Sequence, residues 1–126
     1  MPYVNWQYET LNRFCNDVFR AFGFSEKDSA VISDVLLTAD LYGIESHGMQ
    51  RMVRYHKGIE KGTIHVDETP EIVFETPVSA TIEGHSAMGQ IISKFAMDLA
   101  IEKAKKSGMA MVTVRNGNHF GIRSEE

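Results

Sequence analysis

Residues 79–114, SATIEGHSAMGQIISKFAMDLAIEKAKKSGMAMVTV, decide the fold of this chain. Ser79 to Glu83 is a short run with the composition of a β-strand, and Gln90 to Lys106 spaces its apolar residues as a helix does. Ser107-Gly108 ends that helix, and Met109 to Val114 is a continuous apolar run, typical of a strand that is covered on both faces. Strand, helix and strand in this order predict a βαβ-like unit. The residues expected to face inward from the helix are Ile91, Ile92, Phe95, Ala96 and Leu99.

Another strand and a helix are predicted before this unit. Glu71 to Glu75 also has a strand-like composition, and Thr76-Pro77 separates it from the strand that starts at Ser79, so the two predict a strand pair. Near the N-terminus, apolar residues recur at helical spacing over Tyr8–Phe22, and Gly23 is a natural stop for this first helix.

Two more helices are predicted between these parts. Ser25 is a favoured N-cap residue, so a second helix is expected from Glu26 to about Tyr42. Ser46 is also a favoured N-cap residue, so a third helix is expected from Ser46 to Gly62. The residues that the second helix is expected to bury are Ala30, Val31, Val35, Leu36 and Ala39.

These elements define an α/β fold class, with N-terminal helices followed by a strand pair and a βαβ-like unit. Residues 1–66 are expected to form a helical region, and residues 67–126 a β-β-α-β segment of a sheet domain. Only three strands can be counted, and a strand covered on both faces needs neighbours on each side. The sheet is therefore expected to be incomplete. Either another chain completes it or the sequence is a truncated part of a larger protein, and we favour the second explanation.

The composition is that of a soluble globular protein, because 43% of the 126 residues are hydrophobic and 24% are charged. The net charge of −4 and the lack of a basic tract argue against a nucleic-acid partner. No signal peptide and no apolar run of about 18 residues is present, so we expect no membrane partner and a cytoplasmic location. Cys15 is the only cysteine, which excludes an internal disulfide and suits a reducing compartment.

The predicted third helix carries the most informative pattern of polar residues. If it starts at Ser46, one face holds His47, Arg51, Arg54 and Tyr55 within about 100° of arc. We expect the helix N-terminus and the arginines to disfavour protonation of His47, which suits proton exchange near neutral pH. The guanidinium of Arg51 matches the geometry of a substrate carboxylate. An ordinary capped helix with a surface histidine explains the same spacing, so spacing alone leaves both interpretations open.

His119 is a second candidate, because NGNHFG follows the last apolar strand, where α/β proteins place ligands. A polar turn residue is the alternative explanation. The loop Gly84–Gly89 joins a strand to a helix but matches neither GxGxxG nor a Walker sequence, and the last strand ends in Val114-Arg115 without an acidic residue for a ribose. A Rossmann site is thus excluded, and the loop is expected to be structural.

Two other kinds of site are disfavoured. Ser46 and His47 could suggest a hydrolase, but adjacent residues rarely serve as nucleophile and base, and no GxSxG occurs. The histidines have no metal-ligand spacing with one another or with acids, so no metal site is expected. His56 is expected to be a packed histidine, and Cys15 a small core residue.

Residues 40–51, DLYGIESHGMQR, with Arg54-Tyr55, resemble the malate/L-lactate dehydrogenase family. This family is unrelated to the Rossmann-type lactate and malate enzymes, and it includes ureidoglycolate, diketogulonate and cyclic-imino-acid reductases. The likeness continues through Ala80–Gly84, Gly89-Gln90, the Lys94–Lys105 helix and VRNGNHFGI at 114–122, so it spans about Phe24 to Ile122. The combination of SHGxxR with NHFG is specific, although either motif alone would be weak.

The resemblance implies roles for individual residues. His47 would donate a proton to the substrate carbonyl with Ser46 as its relay partner, and Arg51 would hold the substrate carboxylate. Tyr55 would line the same pocket. His119 would lie beside the nicotinamide and the substrate, as the acid/base in some members. The residues that would contact the cofactor are His119, Phe120, Gly121, Ile122 and Arg123.

The resemblance also implies NAD or NADP as cofactor and a small 2-oxo or 2-hydroxy acid, such as malate or lactate, as substrate. Family members form homodimers and are much longer, so the chain is expected to be the N-terminal portion of a larger mixed-sheet, non-Rossmann dehydrogenase fold. The alternative is an inactive N-terminal module that needs a partner chain.

Overall fold

The computed structural model describes residues 2–122, and these form two compact units. The first unit contains residues 2–57 together with 121–122, and the second contains Gly58–Phe120. None of the helices within the described residues is long and apolar enough to cross a membrane.

The first unit begins with helix α1, Tyr8–Phe22, and its predicted bounds are confirmed. Gly23 ends α1 in the left-handed conformation, with φ 113°, and its N–H bonds the carbonyl of Arg20. Cys15 and Phe19 are fully buried, so the cysteine is a core residue as predicted. Phe14, on the edge of the same apolar stripe, stays 54% exposed.

Helix α2 spans Glu26–Leu41, and the hydroxyl of Ser25 accepts the N–H of Asp28 as predicted for an N-cap. The predicted buried face was wrong in part, since Ala30 is exposed and Val31 and Val35 are only half-buried. Ser29 and Ser33 are buried although serine is polar, which the sequence analysis did not expect. Their side chains are small, and small side chains at buried positions let neighbouring helices approach. The residues that α2 buries are Ser29, Ile32, Ser33, Leu36, Leu37 and Ala39.

The predicted third helix was wrong at its start. A short 3₁₀ turn covers Glu45–His47, and helix α3 covers only Arg51–Glu60. Gly48 separates them because its backbone, with φ −91° and ψ −150°, is extended rather than helical. Ser46 is therefore not the N-cap of α3, and His47 does not lie in the first turn of that helix.

The second unit contains the predicted strand pair and βαβ unit, and both are confirmed. Strands β1, Glu71–Thr76, and β2, Ser79–Glu83, pair antiparallel, while β2 and β3, Met111–Arg115, pair parallel. Helix α4, Gly89–Ser107, connects the two parallel strands. Of its residues predicted to face inward, Ile92 is buried, Ile91, Ala96 and Leu99 are half-buried, and Phe95 is 37% exposed.

The prediction that β3 is covered on both faces was wrong for the described chain. The sheet order is β1-β2-β3, so β3 is an edge strand among residues 2–122. Met111 is 68% exposed and Val114 is 41% exposed. The apolar run at 109–114 therefore lies on sheet faces that the described residues leave largely uncovered.

Helix α2 carries two buried hydroxyls that allow a test of its packing. The Oγ atoms of Ser29 and Ser33 have no hydrogen-bond partner among the described residues. We expect Ser33→Ala to raise the free energy of unfolding by about 1 kcal/mol, because it removes a buried unsatisfied hydroxyl and introduces the best helix former. Urea unfolding measures the change.

Ser93→Ala on α4 is the matched control for helix propensity, because Ser93 is only half-buried. We expect the gain at Ser33 to exceed the gain at Ser93. An equal or smaller gain at Ser33 would show that its hydroxyl is not a cost to the fold.

Candidate active site

The candidate catalytic residues of the first unit lie in the segment between α2 and α3. The 3₁₀ turn at 45–47 is closed by two backbone bonds, from the N–H of His47 to the carbonyl of Ile44 at 3.0 Å and from the N–H of Gly48 to that of Glu45 at 3.2 Å. Ser46 is exposed and His47 is half-buried. The turn therefore presents its side chains near the surface, while its backbone is held internally.

Ser46 and His47 are hydrogen-bonded to each other. The Oγ of Ser46 lies 2.8 Å from Nδ1 of His47. The sequence left two roles open for this hydroxyl, capping a helix or bonding the imidazole, and the structure shows the second. The contact orients the ring, and it makes Nδ1 the ring nitrogen that faces Ser46.

Arg51 is joined to the same turn. Its Nε donates to the carbonyl oxygen of Ser46 at 2.6 Å, although Arg51 is the first residue of α3. The structure thus brings Ser46, His47 and Arg51 together. The helical face predicted for the third helix was wrong in its details because His47 precedes the helix. Arg54 is exposed, whereas Tyr55 is 2% exposed.

The sequence analysis missed two residues that shape this turn. The Oδ2 of Asp40 accepts the backbone N–H of Met49 at 2.9 Å. A Cβ at position 48 would lie 1.8 Å from Oδ1 of Asp40, so a larger residue there would displace this carboxylate. Both residues belong to DLYGIESHG, but local spacing gives no signal that position 40 contacts position 48.

His56 and Cys15 also belong to the first unit, and each packs against another side chain. The ring of His56 stacks on Phe22 with a centroid distance of 4.9 Å, so its prediction as a packed histidine is confirmed. The Sγ of Cys15 lies 3.9 Å from Sδ of Met52, and burial, with a smaller contribution from the charge of Asp40, raises the pKa of the thiol to about 11. This thiol is therefore not a nucleophile at neutral pH.

In the second unit, Asn118 anchors the segment that carries His119. Its Nδ2 lies 2.9 Å from the carbonyl oxygens of Ser86 and Ala87 and 3.2 Å from that of Thr63. A Cβ at position 89 would lie 2.1 Å from the carbonyl oxygen of His119, so the first residue of α4 must be glycine for this contact. These contacts fix the backbone at 118–119 against the start of α4.

The remaining candidate residues differ in exposure. His119 is half-buried and Phe120 is 46% exposed. Gly121 and Ile122 belong to the first unit, where Gly121 is buried with φ 103°. Arg123 lies outside the described residues.

Glu83, at the end of β2, holds the start of the same segment. It accepts hydrogen bonds from the N–H of His85 at 3.0 Å, from Nδ2 of Asn116 at 3.0 Å and from Nε of Arg115 at 2.6 Å. These donors, led by the His85 N–H and followed by Asn116, outweigh desolvation and lower the pKa of Glu83 to about 2. Because Arg115 is the last residue of β3 and Asn116 follows it, this carboxylate joins the carboxyl ends of the two parallel strands.

The loop at 84–89 is held by contacts of its own. His85 and Ser86 adopt positive φ values of 53° and 57°, and Nε2 of His85 lies 3.0 Å from Oε2 of Glu71. Within residues 2–122, no group of three His, Cys, Asp or Glu side chains is arranged to hold a metal ion.

Comparison with known proteins assigns the chain to a family. The family model for malate/L-lactate dehydrogenase matches residues 6–125. The chain belongs to this family. The resemblance seen in SHGxxR and NHFG is therefore confirmed over nearly the whole chain.

Characterised members of the malate/L-lactate dehydrogenase family are similar to this chain in sequence. The malate dehydrogenase of Pyrococcus abyssi is 43% identical over 120 residues, which cover 95% of the chain and 33% of that protein. The L-sulfolactate dehydrogenase of Methanocaldococcus jannaschii is also 43% identical, over 90% of the chain and 33% of that protein.

Solved structures of the family agree with the fold described above. The malate dehydrogenase of Pyrococcus horikoshii superposes with a TM-score of 0.92 at 38% identity, over 95% of the chain and 34% of that protein. The sulfolactate dehydrogenase of Methanocaldococcus jannaschii gives a TM-score of 0.88 at 41% identity, over 90% of the chain and 33% of that protein. The chain spans about a third of the length of the relatives that it matches.

The lowered pKa of Glu83 predicts acid sensitivity of the fold. A carboxyl whose pKa is lower in the folded state than in the unfolded state stabilises the fold above its unfolded pKa. Its contribution is lost as the pH falls from about 4.5 to about 2. We expect Glu83→Gln to lower stability at neutral pH and to lose this part of the acid sensitivity, as measured by urea unfolding across that range.

Glu102→Gln is the control, because Glu102 is an exposed carboxylate on α4 that pairs with Lys106. Its unfolding curve should stay close to that of the unmodified chain. If the stability difference at Glu83 were the same at low and neutral pH, the carboxylate charge would not be what holds the strand ends.

Proposed function

We propose that this chain carries the proton-transfer and carboxylate-binding groups of an NAD(P)-dependent dehydrogenase that acts on a small 2-oxo or 2-hydroxy acid. The observation that supports this proposal most directly is the cluster of Ser46, His47 and Arg51, in which the hydroxyl bonds the imidazole and the guanidinium bonds the same turn. A titratable ring beside a fixed cation suits a reaction in which an anionic substrate exchanges a proton.

His47 is the proposed proton donor and acceptor. Its Nδ1 faces the hydroxyl of Ser46, so the proton exchanged with substrate would be the one on Nε2. During reduction, the carbonyl oxygen of the substrate takes this proton as its negative charge develops, and during oxidation the ring takes the hydroxyl proton. Ser46 orients the ring and serves as its relay partner.

Arg51 is the proposed binding group for the substrate carboxylate. Its Nε is held by the carbonyl of Ser46, which fixes the plane of the guanidinium and directs its terminal nitrogens. A bidentate pair with a carboxylate would orient the substrate with respect to His47. Tyr55 follows one turn later on α3 and is buried, where it would form a wall of the same pocket.

The residues from 119 onwards fit the nicotinamide end of the cofactor in their chemistry. Phe120 offers an exposed aromatic ring, and His119 offers an imidazole on an anchored backbone. When bound, NAD or NADP supplies or accepts the hydride. We propose that its contacts are made by His119, Phe120, Gly121, Ile122 and Arg123.

The substrate class follows from what the relatives share. Those named above are malate and sulfolactate dehydrogenases, and a 34% identical relative in Escherichia coli is hydroxycarboxylate dehydrogenase B. Malate and lactate are therefore the proposed substrates to test first. We also propose a homodimer in the cytoplasm, a compartment that suits a chain whose single cysteine is buried and reduced.

A second candidate function is association with a partner chain without catalysis. The observation that favours it is β3, which has a strand neighbour on one side only among the described residues and exposes Met111 and Val114. A strand edge of this kind can pair with another strand.

The proposed reaction is tested by mixing the chain with NADH or NADPH and either oxaloacetate or pyruvate, and following cofactor oxidation. Where the chain turns over, we expect His47→Asn to lower kcat by about 100-fold or more because general acid catalysis is lost. His56→Asn is the control, since His56 stacks on Phe22 outside the cluster. Full activity of His47→Asn would exclude the donor role, and no binding or turnover by the unmodified chain would favour the association function.

The role of Arg51 predicts a different kinetic effect. Arg51→Lys keeps the charge but loses the planar pair of donors, so we expect KM for the 2-oxo acid to rise by about 10- to 100-fold. Arg54→Lys is the matched control on the exposed side of α3. An unchanged KM in Arg51→Lys would mean that the substrate carboxylate binds elsewhere.

A further inference from the structure

Asp40 lies in the last turn of α2, which two backbone hydrogen bonds close. The N–H of Gly43 bonds the carbonyl of Asp40 at 3.0 Å, and the N–H of Ile44 bonds that of Ala39 at 2.8 Å. Gly43 has φ 74°, so this is a Schellman end, in which both bonds restrain the last turn of the helix. The backbone of Asp40 is therefore a rigid base for its side chain.

The carboxylate of Asp40 reaches across nine residues to the start of α3. Its Oδ2 accepts the N–H of Met49 at 2.9 Å. The N–H of Arg51 bonds the carbonyl of Gly48 and the N–H of Met52 bonds that of Met49, both at 3.0 Å. Asp40 thus places a negative charge at the N-terminal end of α3, where the helix dipole favours it.

The fit between Asp40 and Gly48 is too close for a Cβ at position 48 unless the carboxylate moves. A Cβ built there would lie 1.8 Å from Oδ1, 2.2 Å from Cγ and 2.5 Å from Oδ2 of Asp40. Gly48 has negative φ, so the restriction comes from the contact and not from the backbone conformation. The contact between Asp40 and Gly48 therefore restrains the backbone at residue 48.

Residue 48 lies between the two proposed active groups. His47 is one residue before Gly48, and Arg51 is three residues after it. Most of the surrounding chain has little packing to hold it, since Leu41 and Tyr42 are 68% and 72% exposed and Ser46 is also exposed. The bonds from Gln50 to Glu45 and from Arg51 to Ser46 act within the segment, whereas the Asp40 bond ties it to α2.

We propose that Asp40 is a positioning residue that, through Met49 and Gly48, sets the place of the imidazole of His47 relative to the guanidinium of Arg51. The proposal rests on the proposed function for its catalytic meaning, but the geometry that it describes can be measured without turnover. Asp40 touches neither substrate nor cofactor in this role. It fixes the turn from which His47 and Arg51 project.

The experiment uses the whole chain, labelled with ¹⁵N, and compares Asp40→Ala with the unmodified protein. We expect hydrogen exchange at the Met49 amide to accelerate by about 10- to 100-fold, because a hydrogen bond to a charged acceptor is lost. We also expect the Arg51 Nε–H and His47 ring resonances to shift, because the turn relaxes. Asp34→Ala is the matched control, an exposed aspartate on the same helix, and should leave all three signals in place.

A folded Asp40→Ala chain with unchanged Met49 exchange and unchanged Arg51 and His47 resonances would overturn the proposal. If Asp40→Ala does not fold, Asp40→Asn takes its place, since an amide oxygen can still accept but without charge. For Asp40→Asn we expect a smaller acceleration at Met49, because bonds to ionised acceptors are roughly twice as strong as neutral ones. No acceleration would overturn the proposal.

A double-mutant cycle adds a readout that a general loss of stability would not produce. Gly48→Ala should displace the turn and shift the Arg51 Nε–H resonance, because its Cβ enters the space of the Asp40 carboxylate. Adding Asp40→Ala makes room for that Cβ, so the double variant should be less destabilised than the sum of the single variants. Additive effects would show that the two positions are not coupled.

The failure of this proposal can be separated from the failure of the proposed function. If the resonances respond as expected but the unmodified chain neither binds nor reduces a 2-oxo acid, the proposed function fails and the positioning role stands. If the chain is active, we expect Asp40→Ala to lower kcat by up to about 100-fold through misplacement of the reacting groups. If kcat and the resonances were both unchanged in Asp40→Ala, the proposed function would stand and the positioning role of Asp40 would be overturned.

Discussion

One hydrogen bond, from the backbone N–H of Met49 to the carboxylate of Asp40, ties the end of α2 to the segment that leads into α3. Local propensity alone would start that helix at Ser46, a favoured N-cap residue. With the Asp40 bond, Gly48 is held extended against the carboxylate, and Ser46 and His47 form a separate 3₁₀ turn. The hydroxyl of Ser46 is then available to the imidazole of His47 instead of a helix end.

The sequence predicts elements with strong local signals and misses those set by distant contacts. The bounds of α1 and the strand pair are confirmed because apolar spacing, Gly23 and Thr76-Pro77 each act locally. The start of α3 was wrong because Asp40 is far from Met49 in the sequence, and the buried face of α2 was wrong in part because the structure accepts the hydroxyl of Ser33 in the core. The motif around Ser46 and His47 pointed to residues that lie together with Arg51, but only coordinates show which groups bond.

In the second unit, polar side chains hold the segment that carries His119. The segment with His119 follows β3, which is an edge strand among the described residues. Neighbouring strands on both sides are therefore not what holds it. Its position comes instead from side-chain amides and one carboxylate. The amide of Asn118 donates to three carbonyl oxygens. The carboxylate of Glu83, at the end of β2, accepts hydrogen bonds from Arg115 and Asn116 at the end of β3. Polar groups that are satisfied in this way can fix a loop as firmly as packing does, because each would be costly to leave without its partner.

The contact between Asn116 and Glu83 also affects how the chain ages chemically. Asn116 precedes Gly117, a pair in which the backbone nitrogen is little shielded and side-chain amide hydrolysis is easiest. Deamidation would replace the donor that now lies 3.0 and 3.1 Å from the Glu83 oxygens with a second carboxylate. Two like charges at that separation repel each other. Old preparations of this protein would therefore lose order at the strand ends before their helices change.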